Sequence, residues 1–206
     1  MLDRSAAPPL KHTLHFELPG YDRFLESNGL TGILIPSDKQ EVVRIEFFFR
    51  AGKIYEPSAL VAHFTTTMLE KGTRKHSAEA ISAILDFYSA HLELSAGYDY
   101  TNVGLVCLTQ NLNKVLPLLL EMLREPSFDE SELRISKEIF AQNLQINLEK
   151  NSFVAGQHIR KLIFGNHPYG TSPCWYLLRR LYKNQLLIIL RNQIQFRVQS
   201  VWAGSL

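Results

Sequence analysis

Several features are scarce or missing in this sequence, and each absence narrows what it can be. The 206 residues include only two cysteines, Cys107 and Cys174. They form no C-x-x-C pair and no disulfide framework, so free thiols in a reducing compartment are the simplest reading, with one disulfide as the alternative. Charge of one sign is not in excess: 22 Lys and Arg against 20 Asp and Glu leave a net +2. No basic run is interleaved with aromatics, which argues against a nucleic-acid surface. No apolar run approaches the roughly 18 residues of a membrane span. The longest, LLIIL at 186–190, is flanked by Lys183, Asn184, Gln185 and Arg191 and reads as a core element. The opening MLDRSAAPPL places Asp3 and Arg4 where a cleaved signal would need an apolar run, so the cytoplasm is the expected location. No G-x-S-x-G elbow, P-loop or G-x-G-x-x-G is present either, and Cys107 sits inside a strand pattern. Serine-nucleophile and nucleotide-binding chemistry therefore lack a local signature.

What is present describes a soluble globular chain, 46% hydrophobic and 20% charged. Its length suits one domain of ordinary size and a substantial core. Residues 1–20 read as an irregular N-terminal arm, and 21–206 as the domain. GLTGILIPSD (29–38) and EVVRIEFFFRAG (41–52) are strand-like, and SDKQ between them predicts a hairpin or tight crossover. Val43, Ile45, Phe47 and Phe49 alternate with Val42, Arg44, Glu46 and Phe48, the period of a strand with one face in the core. Pro57 is suited to a helix start, giving a helix to about Lys71 that Gly72 stops. Ser77 is a fitting N-cap for a second helix with Ala78, Ile81, Leu85 and Tyr88 on one face. LELSAGYDYTNVGLVCL (92–108) predicts two antiparallel strands turning at Gly97–Tyr100. A helix ending before Pro126 follows, then a long helix capped by Asp129 that carries Leu133, Ile135, Ile139, Leu144, Ile146 and Leu148, then a helix over 153–164. Gly, Asn and Pro collect in GNHPYGTSP, a candidate boundary at 165–173. Strands and helices segregate along the chain, so the expected class is α+β, a mostly antiparallel sheet with helices packed on one face.

The stretch VAHFTTTMLEKGT (61–73) is the candidate chemical centre. A helix presents two metal donors on one face at i and i+4, but the position four residues after His63 is Thr67, a poor zinc donor beside imidazole. Thr66, where a general base would stand, cannot take a proton from water at neutral pH. On spacing alone His63 is a packed or hydrogen-bonded core histidine. The other histidines, His12, His15, His76, His91, His158 and His167, match no ligand pattern, even with Glu149 near the last two. The FFF run at 47–49 reads as core, and RRLYK at 179–183 as a solvated helix face.

HFTTTMLEKGT resembles the inverted zinc motif of the pitrilysin/insulinase (M16) peptidases, a family that includes the mitochondrial processing peptidases. There the helix reads H-x-x-E-H, followed by M-x-x-K-G-T. His63, Phe64, Met68, Lys71, Gly72 and Thr73 match; the family's base falls on Thr66 and its second histidine on Thr67. EIFAQNLQ matches the family's downstream glutamate helix at Glu138, but the ligand position holds Gln145. FRAGKIYEP, LEKNSFVAGQHIRKLIFGNHPYG and SVWAGSL resemble neighbouring family segments, so the likeness extends over roughly 20–206.

The resemblance implies a single M16-type domain, the first of the family's two homologous halves. Its metal site would be dismantled, with no cofactor expected and His63 the only surviving ligand position. By family analogy such a chain binds peptide by β-augmentation and pairs, as a homo- or heterodimer, with an active homologue or a second half. The alternatives are an active zinc-dependent metalloendopeptidase using His63 with unusual ligands such as Gln145 or with partner-supplied ones, and a structural remnant without substrate.

Overall fold

The computed structural model describes residues 19–27, 30–36, 41–172, 177–178 and 181–190. Nearly all of the expected N-terminal arm, Cys174, Arg179 and Arg180, and the closing SVWAGSL lie outside the described residues.

Among the described residues, five strands form two antiparallel sheets. β1 (Asp22–Leu25) pairs with β2 (Thr31–Leu34) in a two-stranded ribbon. β3 (Val42–Phe49), β4 (His91–Ala96) and β5 (Thr101–Leu108) form the main sheet in the order β3-β5-β4. The predicted β4–β5 hairpin is present, turning between Ala96 and Thr101. Of the hairpin or tight crossover predicted between the 29–38 and 41–52 segments, the hairpin is not formed. β2 pairs with β1, and β3 pairs with β5 from Val42↔Leu108 to Phe49↔Thr101. The reason is burial. β3 turns Val43, Ile45, Phe47 and Phe49 inward, and β5 offers a matching row of Thr101, Val103, Leu105 and Cys107, all buried. Nothing in β2 is buried, so it has no core face with which to fix that register.

The helices with described bounds are α1 (Val61–Thr67), α2 (Ala78–Phe87), α3 (Leu112–Arg124), α4 (Glu130–Leu148), α5 (Asn151–Phe164) and α6 (Lys183–Ile189). Short 3-10 turns include Lys53–Tyr55, Met68–Glu70 and Pro168–Gly170. α1 packs on β4 and β5, α3 on β5, and α2 on β4 and α3. The opposite face of the sheet is polar: Arg44 on β3 donates to Glu46 on its own strand and to Glu93 on β4, across the intervening Gly104 of β5. Helices on one face and an ion-pair cluster on the other give the α+β layering that the strand and helix order predicts.

The core joins Phe49, Val103 and Leu105 of the sheet to Val61, Ala62 and Phe64 of α1 and to Val115, Leu119 and Leu123 of α3. Burying each large side chain fully contributes about 1.5–3 kcal/mol. Leu186, Ile189 and Leu190 are also buried there, as expected for LLIIL. Leu181 is buried too, so the 179–183 segment is not wholly a solvated face. Of the FFF run, Phe49 is buried while Phe48 is exposed on the polar side.

Helix ends follow local chemistry in two cases. Ser77 accepts from the Ala80 amide at the start of α2, and Asp129 accepts from the Ser131 and Glu132 amides at the start of α4. The helix expected from Pro57 instead begins at Val61. Its first turn is capped from upstream by Glu56, and Leu60 takes the left-handed conformation at φ 77°.

Candidate functional site

α1 carries the motif, and its length is set at both ends. Glu56 accepts from the amides of Leu60 at 3.2 Å and Ala62 at 3.0 Å, which satisfies donors a helix start leaves open. Burial outweighs these amide bonds and holds the Glu56 carboxyl above its ordinary pKa. Upstream, Gly52 lets the chain pass the β4–β5 turn: a Cβ there would sit 2.3 Å from the Tyr98 carbonyl oxygen. Downstream, Gly72 adopts φ 123°, a conformation open to glycine, and the chain turns away from the helix axis.

Along the helix the three threonines behave differently. Thr66 donates its hydroxyl to the Ala62 carbonyl at 2.8 Å, and Thr67 donates to the His63 carbonyl at 2.9 Å. Both hydroxyls are thus engaged by the backbone one turn back. Thr65 is fully buried, and its hydroxyl has no hydrogen-bond partner. The His63 ring packs between Phe64, 5.1 Å away and edge-on, and Phe140 of α4, 4.9 Å away. Burial first, and the Lys53 ammonium second, hold the imidazole below its ordinary pKa.

α4 therefore meets His63 through Phe140, five residues before Gln145, which is itself exposed, as is Glu138. These side chains do not fit a catalytic zinc ion. Such an ion takes three protein donors plus an open position. Here one imidazole is covered by aromatic rings, and two hydroxyls are bonded to carbonyls. Among the described residues no group of three or more His, Cys, Asp or Glu side chains is placed to hold a metal. His158 is exposed, and His167 accepts from the Tyr169 amide as the cap of the Pro168–Gly170 turn.

The K-G-T end of the motif has its own role. Thr73 donates to Glu121 of α3 and accepts from the Lys75 and His76 amides, while His76 Nδ1 lies 3.0 Å from the same carboxylate oxygen. Burial works against ionisation of Glu121, yet the bonds from Thr73 and His76 hold its carboxyl below the usual range. Ser127 donates its amide to Gly72, and Thr73 bridges to Pro126. The loop after α1 is thereby tied to the end of α3. An open cleft of about 380 Å³ lies beside it, at the far end of the motif from His63. Sequence reasoning did not single out Glu56 or Glu121 for these roles. Glu121 is 48 residues from Thr73 and gives no local signal. An acidic residue just before a Pro-started helix is a capping signal that could have found Glu56.

The HPYG segment is tied to the β4–β5 turn. Tyr169 donates its hydroxyl to Asp99 at 2.5 Å and packs edge-on against Tyr98, Phe164 and His167.

The family model of the insulinases, peptidase family M16, matches residues 32–173, and the chain belongs to that family. A "zinc protease YmxG" of Bacillus subtilis is 24% identical over 150 residues, covering 72% of this chain and 37% of that protein. Among solved structures, a "peptidase M16 inactive domain" from Pseudomonas fluorescens superposes with a TM-score of 0.78 at 19% identity, over 82% of this chain and 42% of that one. A protease from Helicobacter pylori gives 0.76 at 18% identity, over 92% and 51%. The chain thus spans 37%, 42% and 51% of the lengths of these three proteins.

Proposed function

We propose that this chain is a non-catalytic M16-type subunit that binds peptide and works paired with another M16 domain, which supplies the metal and the base. The observation that carries this is the state of Thr66 and Thr67, which stand at the motif's base and second-ligand positions with their hydroxyls bonded to Ala62 and His63 carbonyls. A threonine cannot take a proton from water at neutral pH, so hydrolysis at His63 lacks a base.

The sheet supports peptide binding. Among the described residues β4 pairs only with β5, leaving its outer edge of amides and carbonyls open, and α1 packs beside it. An extended peptide adds to such an edge by backbone hydrogen bonds. The solved relatives carry about as much chain again, enough for a second domain of this size. A cytoplasmic location completes the proposal, with Cys107 a buried free thiol whose pKa burial raises.

The test is zinc content by elemental analysis on untagged protein purified without chelator, followed by a peptidase assay. A ratio near zero with no hydrolysis is expected. One zinc per chain with peptidase activity would establish instead a metalloendopeptidase using His63 with other ligands.

A further inference from the structure

The open edge of β4 ends beside a fixed cation. Just past Ala96, the Lys53 amide donates to the Gly97 carbonyl at 3.1 Å and the Ile54 amide to the Tyr98 carbonyl at 3.0 Å. The chain leading into α1 is thereby clamped to the β4–β5 turn. The Lys53 ammonium lies over the Tyr98 ring, 4.6 Å from its centroid. That ring is itself held, packed at 5.0 Å against Tyr169, whose hydroxyl donates to Asp99. Lys53 is half-buried and makes no ion pair among the described residues. The carboxylates of this corner are engaged elsewhere, Glu56 by the α1 amides and Asp99 by Tyr169. The Lys53 charge is felt at the His63 imidazole of α1, which places it on the helix side of the sheet.

The two faces of β4 differ. Leu92, Leu94 and Ala96 pack against the core on the helix side. His91, Glu93 and Ser95 alternate with them on the open side, where Arg44 donates to Glu93. A strand added to this edge lies about 4.8 Å away and keeps the same alternation. Antiparallel addition continues the pattern of every strand pair among the described residues, and it is the slightly more stable pairing. The added residue opposite Ala96 then points to the helix side, beside Lys53. The residues two and four positions further along point beside Leu94 and Leu92.

We propose that Lys53 is a specificity-determining residue of the β4 edge, taking an acidic side chain of a peptide that reads acidic-x-apolar-x-apolar from its N-terminal end. The proposal rests on the reading that peptide adds to β4, and it names the chemistry of that peptide. An ammonium already held on an aromatic ring loses little freedom on meeting a carboxylate, which lowers the entropic cost of the contact.

The test is fluorescence anisotropy of the full chain with two hexapeptides blocked at both ends and dye-labelled at the C-terminal end. One reads Asp-Thr-Val-Thr-Val-Thr and the other has Asn in first place. The Asp peptide is expected to bind about fivefold tighter, the upper end for a partly exposed ion pair, with the ratio shrinking at high salt. Lys53→Met, which keeps an unbranched stem over Tyr98, should bring the ratio to one, and Lys53→Glu should favour a Lys-first peptide over both. Equal binding of the two peptides by the wild type, or a ratio that survives in Lys53→Met, overturns the proposal and leaves peptide binding intact. Tighter binding of a Thr-first peptide with a free C-terminal carboxylate overturns the antiparallel placement. Binding of none of these peptides removes the peptide-binding reading itself, and this proposal with it.

Discussion

The ring of Phe140 lies 4.9 Å from that of His63, centroid to centroid, tilted by 52°. An aromatic side chain of α4 therefore covers the imidazole of α1, and the histidine is held as a packing residue. Desolvation of this kind disfavours the charged form, which is why the His63 pKa is depressed.

A pH dependence follows, with a definite sign. A base whose folded pKa lies below its unfolded value contributes stability that is fully present above the unfolded pKa, about 6.5 for histidine, and is lost as pH falls below it. Urea titrations from pH 7 downward should show the wild type losing stability through this window more steeply than His63→Gln. Parallel curves for the two proteins would mean that His63 charges as freely in the fold as in the unfolded chain.

Glu56 caps α1 from outside the helix, and its removal leaves the Leu60 and Ala62 amides without that acceptor. Glu56→Ala should cost about 1 kcal/mol, at the middle of the range for lost helix caps because burial of the charge offsets part of the gain. Glu56→Gln, which keeps one acceptor oxygen, should cost less. Thermal denaturation of both variants beside the wild type gives the ordering, and equal stability for Glu56→Ala would count against the cap.

Thr65 is buried with its hydroxyl unpaired. Replacing it by valine keeps the branched shape and removes a polar group that lost water on folding, so Thr65→Val should stabilise by about 1 kcal/mol. The same substitution at Thr66 removes a hydrogen-bonded hydroxyl and should gain less. A denaturation midpoint that moves down for Thr65→Val would reveal a partner for this hydroxyl.

Chelator supplies the fourth prediction. A metal bound to the folded state raises the melting temperature by mass action. Because the residues at the motif do not fit zinc, the melting temperature should be unchanged by excess EDTA or by added zinc. A drop of several degrees with EDTA would mean that a metal contributes to folding.

Much of the architecture was legible because it rests on local periodicity. The alternation through β3, the Ser77 and Asp129 caps and the β4–β5 turn each depend on residues a few positions apart. The errors fell where distant burial decides. Of the hairpin and the tight crossover that SDKQ allows, the hairpin gave way to β3–β5 pairing, because the buried row that β3 must match lies some sixty residues away. The helix start predicted at Pro57 moved to Val61 because the Glu56 side chain, not proline, satisfies the first amides.

At the motif itself, residue types alone determined that His63 is followed by Thr66 and Thr67, whose hydroxyls have neither the basicity of a carboxylate nor the donor strength of an imidazole. The sequence also determined the α+β class, through the segregation of its strands and helices. Only the tertiary structure decided what became of His63. Its neighbour Phe140 is 77 positions away along the chain, and it takes a folded core to bring α4 onto α1 and set that ring over the imidazole. Which side of α4 is buried was decided at the same level, with Leu133, Ala141 and Leu144 buried and Ile135, Ile139 and Ile146 exposed. Periodicity shows that a helix has an apolar face, but packing determines which face the domain uses and which it leaves bare.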